Sequence, residues 1–501
     1  MSGSPVWRTA GSREPYLAAR VLDALLRENY GGLAAQVSRS RQGVALELAD
    51  GRSVRLVPGT LFQDFVVAPE ERLGLEQVLG TLAEIADPAD TDGVRAFFEE
   101  CVQALHALEL HDAHREAVLA RLAGERTLIA YESLAAFGDH PVYPTARARA
   151  GLTEAELLAY APEFAPSFEL RWALVPGTFE TPPWWPSFER VGLEERPGVT
   201  LFPVHPLTVG RLEVPVAPLP YLTVRPTLSM RTVEVAPRTH LKLPLPTSTL
   251  GRLNRRSIKP STLEDGARAE LLLRRLAGPR VLVAGEQLFG HAGDEYLGWL
   301  VRELPEGEIV PVAALPMLLD RLPPGTLEDY LRLLLEWNVT LFVRYGVALE
   351  AHQQNLSVVL SDDGLKLLVK DNDGLLASPV RLAAAGIEAP AFADARMLTD
   401  DPHALADLFV TVTLHLAAAA IVFGALPRAE AAELLRDTLA TALAEHGDDP
   451  MARLLRARTL DAARLTGKSM ITAGTLMAKE RSGARDVNKF YGTSGPNYLR
   501  R

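Results

Sequence analysis

A chain of 501 residues, 48% of them apolar, can bury a large core, and its length suggests two to four domains or lobes. Its formal net charge of −11 argues against general affinity for nucleic acid or for an anionic membrane, both of which select basic surfaces. One cysteine, Cys101, excludes an internal disulfide and a thiolate-rich metal site and suits a reducing, cytoplasmic setting, as does an N-terminus without a basic-then-apolar signal pattern.

Residues 14–135 read as mostly helical, with apolar side chains at three and four spacing in Leu17 to Leu26, Leu73 to Ile85 and Val94 to Leu122. A short strand pair, Val44 to Leu48 and Ser53 to Val57 about Asp50-Gly51, interrupts them. Cys101 falls in the last of these helices as a packed thiol, and His106, His111 and His114 are expected on its solvated face. A turn follows from His140-Pro-Val-Tyr-Pro to Gly151, in which extended backbone would aim Arg147 and Arg149 the same way, as a solvated turn or as an anion site. Dense prolines from 160 to 226 favour short strands and packed loops, Thr181-Pro-Pro-Trp-Trp-Pro186 among them.

The alternation from Thr227 to Val233 predicts a strand with Thr227, Ser229, Arg231 and Val233 on one face. With Ala236 to Thr239 as the turn, Val233 would pair with Lys242 and bring that amine to the same face. Thr247, Ser248, Arg252 and Arg256 follow, so this acidic chain gathers hydroxyls and cations either as a phosphate or polyanion pocket or on solvated edge strands. Residues 281–325 read as strands and loops ending at Arg321-Leu-Pro-Pro-Gly325, after which Thr326 is expected to cap a helix running to about Tyr345.

Leu356 to Leu360 and Leu365 to Val369 flank an Asp-Gly turn and predict a hairpin pairing Leu360 with Leu365, Val358 with Leu367 and Leu356 with Val369. Directly opposed side chains in a hairpin lie roughly 5 Å apart at Cβ, so its base should gather His352, Asn355, Lys370, Asp371 and Asp373 around one ligand. Further on, 403–425 and 429–446 read as helices, with Val410 to Leu426 a buried helix and not a membrane span. The tail from Lys468 through Lys479, Arg481 and Arg485 to Arg501 is basic, either as an exposed tail or as a clamp for a substrate carboxylate.

Asn355 and Asp371 offer the hard oxygens that suit a Mg²⁺ sharing phosphate oxygens, with Glu350 orienting His352 or reaching the metal through water. Together with Arg231, Lys242 and Arg252 they describe a nucleoside triphosphate site. Protein kinases use a comparable Asn and Asp platform, but this chain carries no glycine-rich phosphate loop of a familiar type.

Several stretches, in one order from about 138 to 480, resemble the synthetases that build siderophores without a non-ribosomal peptide synthetase, the aerobactin synthase-like family. His140-Pro-Val-Tyr-Pro-Thr-Ala-Arg-Ala-Arg-Ala-Gly151 and Phe202-Pro-Val-His-Pro206 are similar to its His-Pro segments. Thr227-Leu-Ser-Met-Arg-Thr232 with His240-Leu-Lys-Leu-Pro-Leu245 is similar to its nucleotide strands, and Glu350-Ala-His-Gln-Gln-Asn355 with Lys370-Asp-Asn-Asp-Gly374 to its catalytic core. The chain departs from the pattern with Tyr143 in place of the second His, Arg147 in place of Lys, and Lys370 where Arg often stands.

The resemblance implies an α+β, three-lobed cupped hand: a helical thumb over 1–137, strand-rich fingers over 138–322, and a helical palm over 323–501 carrying a kinase-like hairpin platform. It implies a cytoplasmic homodimer that adenylates a carboxylic acid, citrate or a related acid, and condenses it with an amine or alcohol, releasing AMP and pyrophosphate. By motif position, ATP would meet His140, Thr227, Ser229, Arg231, Lys242, His352, Gln354, Asn355 and Asp371, and Mg²⁺ would meet Glu350, Asn355 and Asp371. Thr247, Ser248, Arg252 and Lys468 would meet the acid, with His352, Arg252 and Lys242 as the catalytic groups. A small-molecule kinase, or a binding protein without catalysis, is the alternative.

Overall fold

The computed structural model describes residues 13–483 and 489–500; Arg485 and Arg501 of the basic tail lie outside the described residues. In the N-terminal part, helices Glu14–Glu28, Leu75–Ile85 and Thr91–Leu122 pack on a four-stranded sheet whose second and third strands, Gly43–Glu47 and Ser53–Pro58, are the expected pair. Leu17, Val21 and Leu25, at helical spacing on the first helix, are fully buried with Leu46, Val54, Val78 and Phe97. Cys101 is buried there too. His111 is not solvated as expected. It is buried, stacks on Phe137 at 4.4 Å between ring centroids and meets the Arg147 guanidinium at 3.0 Å, because the long helix packs that turn against the His140 segment.

A seven-stranded antiparallel sheet runs, in spatial order, through Gly285–His291, Gly298–Glu303, Thr239–Lys242, Thr232–Ala236, Tyr221–Pro226, Phe168–Pro176 and Val199–Val204. The Trp-rich loop packs as expected, with Trp185 against Trp172 and Trp299 at 5.0 and 4.7 Å. The strand expected at 227–233 begins only at Thr232, and the register is one step from the expected one: Thr232 opposes Lys242 and Val233 opposes Leu241. Residues 227–231 form the turn of a hairpin instead. The Thr227 N–H donates to Thr232 O, Ser229 Oγ accepts the Thr232 N–H, and Met230 sits at φ 63°. Local hydroxyl-to-backbone bonds offer these residues an alternative to the sheet ladder.

The predicted hairpin is present in the expected register, Leu356 to Val369, Val358 to Leu367 and Leu360 to Leu365. It forms the centre of a four-stranded sheet with Val281–Val283 and Glu308–Pro311, so strands from both sides of Arg321–Gly325 build the platform. Helix Thr326–Thr340 continues through a π-wound turn, Leu341–Tyr345, to the expected end. Its N-cap is Gly325 at φ 81°, and Thr326 spends its hydroxyl on Pro323 O at 2.7 Å, so Thr326 is not the cap. Helix Pro402–Ala425 is long and apolar enough to cross a membrane, and 78% of its most apolar window is buried inside the fold. Every residue from Phe409 to Ala419 is buried, and His415 is satisfied by Tyr498 and Thr466 O at 2.8 Å each.

Candidate functional site

A cleft of about 1260 Å³ opens between the seven-stranded sheet, the hairpin base, the His140 turn and the C-terminal segment. From the sheet side come Lys242 at the end of its strand, Ser229 and Arg231 from the 227–231 turn, and Arg255 and Arg256 from the loop beyond. The hairpin side contributes Glu350, His352, Gln354, Asn355, Asp371 and Asp373, while His140 and Lys468 come from the other two walls. Residues of four separate stretches of sequence therefore share one surface.

Four expected residues do not line this cleft. Thr227 is buried, its hydroxyl donated to Thr232 O at 2.9 Å. Thr247 donates to Ala150 O at 2.9 Å, and Ser248 is paired edge to edge with Arg255. Arg252 is exposed, anchored by its N–H to Thr475 Oγ1 at 3.1 Å. The guanidinium deep in the cleft is that of Arg256, which makes no ion pair within 4.0 Å of any described residue, whereas Arg255 is held by Glu295 at 2.5 Å. Burial, and then repulsion by Arg231, bring Arg256 down to about 9 against the opposing pull of Asp371. An arginine in that condition is a strong donor site for an anion.

At the hairpin base the chain turns sharply after Lys370, whose N–H closes the pairing with Asn355 O at 3.0 Å. Lys370 does not join the ligand cluster as expected. It is buried in an ion pair with Glu132 at 2.7 Å, and the other Glu132 oxygen accepts the Leu228 N–H at 3.0 Å, so this lysine ties helix Leu128–Ala135 and the 227–231 turn to the hairpin. Asp371 adopts φ 63° and is bonded by Lys242, which also reaches Asp373 at 3.4 Å. Burial works against the Asp371 carboxylate, yet Lys242, Arg302 and Arg231 outweigh it and hold the group well below the ordinary carboxylate range.

Two histidines face the cleft as neutral rings. His140 Nδ1 accepts the N–H groups of Val142 and Tyr143 at 3.1 and 2.9 Å, which places its proton on Nε2. Burial, then the nearby His352, push it down to about 3. His352 Nδ1 accepts the Gln354 N–H at 3.3 Å, and burial followed by Lys468 pushes this ring down to about 4. Arg147 and Arg149 also touch the cleft but are committed elsewhere: Asp139 holds the first at 2.8 Å and Glu163 the second at 3.1 Å.

Among the described residues no three His, Cys, Asp or Glu side chains gather in metal-binding range. A metal here would therefore have few protein ligands, which fits Mg²⁺, an ion that keeps several waters and takes phosphate oxygens as partners. Asp371, with Asn355 and Glu350 on the same wall, supplies oxygen donors of the right hardness.

The first part of the basic tail is not exposed, whereas Lys479 and Arg481 are. Lys468, Ser469, Thr472 and Thr475 are buried, and the segment is threaded between the long N-terminal helix and the 250–252 loop. A Cβ on Gly93 would meet Leu476 O at 1.9 Å, and one on Gly251 would meet Gly474 O at 2.7 Å, so both positions need glycine for close backbone approach. Glu28 accepts the N–H groups of Ile471 and Thr472 at 3.1 and 2.9 Å, and Glu100 accepts the Thr475 hydroxyl at 2.8 Å. Sequence reasoning missed both acids. Their signal was a carboxylate on the apolar stripe of an amphipathic helix, as Glu28 follows Leu17, Val21 and Leu25. Glu132, Glu286 and Arg302 were missed as well, since each matters through a partner on another element.

Comparison with known proteins bears on this architecture. A family model described as IucA / IucC family matches residues 127–179, and one described as Ferric iron reductase FhuF-like transporter matches residues 327–482. The rhizobactin siderophore biosynthesis protein RhbC of Rhizobium meliloti (strain 1021) is 39% identical over 72 residues, 14% of this chain and 11% of that protein. The chain spans about half or less of the length of the curated relatives it matches: 11% of RhbC and 51% of the uncharacterized protein y4xN of Sinorhizobium fredii (strain NBRC 101917 / NGR234), which is 26% identical over 323 residues. The crystal structure of petrobactin biosynthesis protein AsbB from Bacillus anthracis str. Sterne is 15% identical, with a TM-score of 0.71 over 98% of this chain and 96% of that one. ATP-bound aerobactin synthetase IucA from a hypervirulent pathotype of Klebsiella pneumoniae is 17% identical, with a TM-score of 0.66 over 97% and 99%. The fold, mixed helix and sheet, is thus the fold of siderophore synthetases. At sequence level the likeness to the IucA / IucC family is confined to residues 127–179, and the likeness to these solved structures is one of fold.

Proposed function

We propose that this protein is an ATP-dependent ligase of siderophore biosynthesis that adenylates a carboxylic acid, citrate or a related acid, and joins it to an amine or alcohol. The reading is supported above all by one observation: an ionised Asp371 on the cleft wall, gripped by Lys242 beside Arg231 and an unpaired Arg256. Such a wall suits a polyanion next to a second anion. In the first step a carboxylate oxygen bonds to the α-phosphorus of ATP while the bond to the β-phosphate oxygen breaks, releasing pyrophosphate. In the second the nucleophile attacks the acyl carbon, AMP leaves, and a proton is lost from the incoming amine or hydroxyl.

Lys242 and Arg231 neutralise phosphate charge, and Arg256 takes the role of acid-binding arginine first given to Arg252, because it lines the cleft without an ion-pair partner among the described residues while Arg255 is held by Glu295. His140 and His352, neutral at physiological pH and with Nδ1 occupied by backbone N–H groups, can donate a hydrogen bond from Nε2 to an anionic ligand. Asp371 with Asn355 and Glu350 would hold Mg²⁺, which would add charge neutralisation at the phosphates. Lys468, held by the threaded tail, approaches the acid, and Ser229 and Gln354 approach the nucleotide. Thumb, fingers and palm lobes, a homodimer and a cytoplasmic setting belong to the same reading.

Incubation with ATP, Mg²⁺, citrate and a panel of polyamines, followed by identification of the nucleotide product, tests it. AMP with pyrophosphate supports the ligase. ADP would overturn it in favour of a kinase.

A further inference from the structure

Glu286 and Arg302 were unmarked in the sequence, yet they form a buried ion pair beside the cleft, 2% and 3% exposed. They come from adjacent strands of the seven-stranded sheet, Gly285–His291 and Gly298–Glu303. The pairing of these strands is irregular between Gly285 and Leu288, and such a bulge re-aims the side chains within it, here Glu286. One oxygen of Glu286, Oε1, accepts from Arg302 Nε and also from the backbone N–H of Asp371 at 3.0 Å. The Arg302 Nη2 is buried, has no hydrogen-bond partner among the described residues, and lies 3.8 Å from Asp371 Oδ1.

Register explains how this pair meets Lys242. Lys242 opposes Leu300, and His240, two residues before it, opposes Arg302, so Lys242 and Arg302 share one face of the sheet on neighbouring strands. That face is a two-pronged cationic fork with Asp371 in its grip. Asp371 needs such support, because a non-glycine residue at φ 63° holds its conformation only when surrounding groups over-determine it.

We propose that Glu286 and Arg302 are positioning residues for Asp371. Glu286 fixes the backbone of the turn through the N–H, and Arg302 is the standing counter-cation that keeps the carboxylate aimed into the cleft when Lys242 is drawn to nucleotide phosphates. The prong shared with the ligand is Lys242; the prong reserved for the protein is Arg302. This rests on the reading of Asp371 as the residue that meets the nucleotide and its metal ion.

The test measures binding of Mn²⁺ by electron paramagnetic resonance, in the presence of a non-hydrolysable ATP analogue, on the full chain. Arg302→Lys keeps the charge beside Glu286 but shortens the reach to Asp371. It should weaken Mn²⁺ binding about tenfold or more while the protein still melts cooperatively near the wild-type temperature. In an Asp371→Asn background, Arg302→Lys should add nothing to the loss already present. If Arg302→Lys does not fold, Glu286→Gln carries the same expectation, since it retains an acceptor for the N–H and removes the charge that holds Arg302. Unchanged Mn²⁺ binding in the folded variant, or losses that simply add, overturns the inference. Failure of the wild type to bind Mn²⁺ with the analogue overturns the reading of Asp371 itself.

Discussion

Glu132 and Lys370 form a buried ion pair at 2.7 Å across 238 residues of sequence, while Asp371, the next residue along the chain, is held separately by Lys242. The two neighbours thus divide the labour of the hairpin base: one lysine anchors it to the helix at Leu128–Ala135, and one aspartate faces the cleft.

Removing one member of a buried pair leaves an uncompensated charge. Glu132→Ala should destabilise the protein by about 3–5 kcal/mol, read as a lower urea midpoint, whereas the paired change Glu132→Leu with Lys370→Met should recover most of that loss. A midpoint for Glu132→Ala equal to wild type would show that the pair carries little.

Asp371→Asn keeps the shape and removes the charge. AMP formation should fall by at least 100-fold, about 2.7 kcal/mol of transition-state stabilisation, with the fold intact by circular dichroism. Lys242→Ala should mainly raise the ATP concentration needed for half-maximal rate. Near-normal turnover in Asp371→Asn would remove this aspartate from the reacting site.

Arg256 sits beside Arg231 without an ion-pair partner among the described residues, an arrangement that favours an anionic ligand at the expense of the empty protein. Arg256→Gln should weaken binding of the acid substrate about tenfold or more, on the order of 1.4 kcal/mol, in calorimetric titration. Its melting temperature should be no lower than that of wild type. Arg252→Gln, on the exposed side of the loop, should change acid binding less than Arg256→Gln does.

His352 has its proton affinity lowered to about 4 by burial and then Lys468, whereas an unfolded histidine takes up a proton near pH 6.5. Between these values the unfolded state binds more protons, so folding stability is lost as pH falls through that window. Relative to His352→Gln, wild type should therefore lose about 2 kcal/mol between pH 6.5 and 4, measured as the difference of two denaturation series. Histidine NMR of the folded protein should show no titration of His352 near pH 6.5.

Local pattern by itself determined the hairpin and its register, the N-terminal amphipathic helices and the long apolar helix. Each of these is written in near-neighbour periodicity, where a one-residue slip would send every apolar side chain to the wrong face. It also marked the cleft residues of the hairpin base, because polar groups crowded at a strand end have few structural reasons to be there. The 227–231 turn escaped that reading: hydroxyl-to-backbone bonds at Thr227 and Ser229 defeat an alternation that looks like a strand. Only the tertiary structure decided which of several arginines faces the cleft, that Lys370 is spent on Glu132, and that Glu28, Glu100, Glu286 and Arg302 hold the walls in place. An isolated charged residue carries no sign of its partner in the sequence. Its meaning is set by burial, which makes the partner obligatory, and by the fold, which brings the partner from another element of the chain.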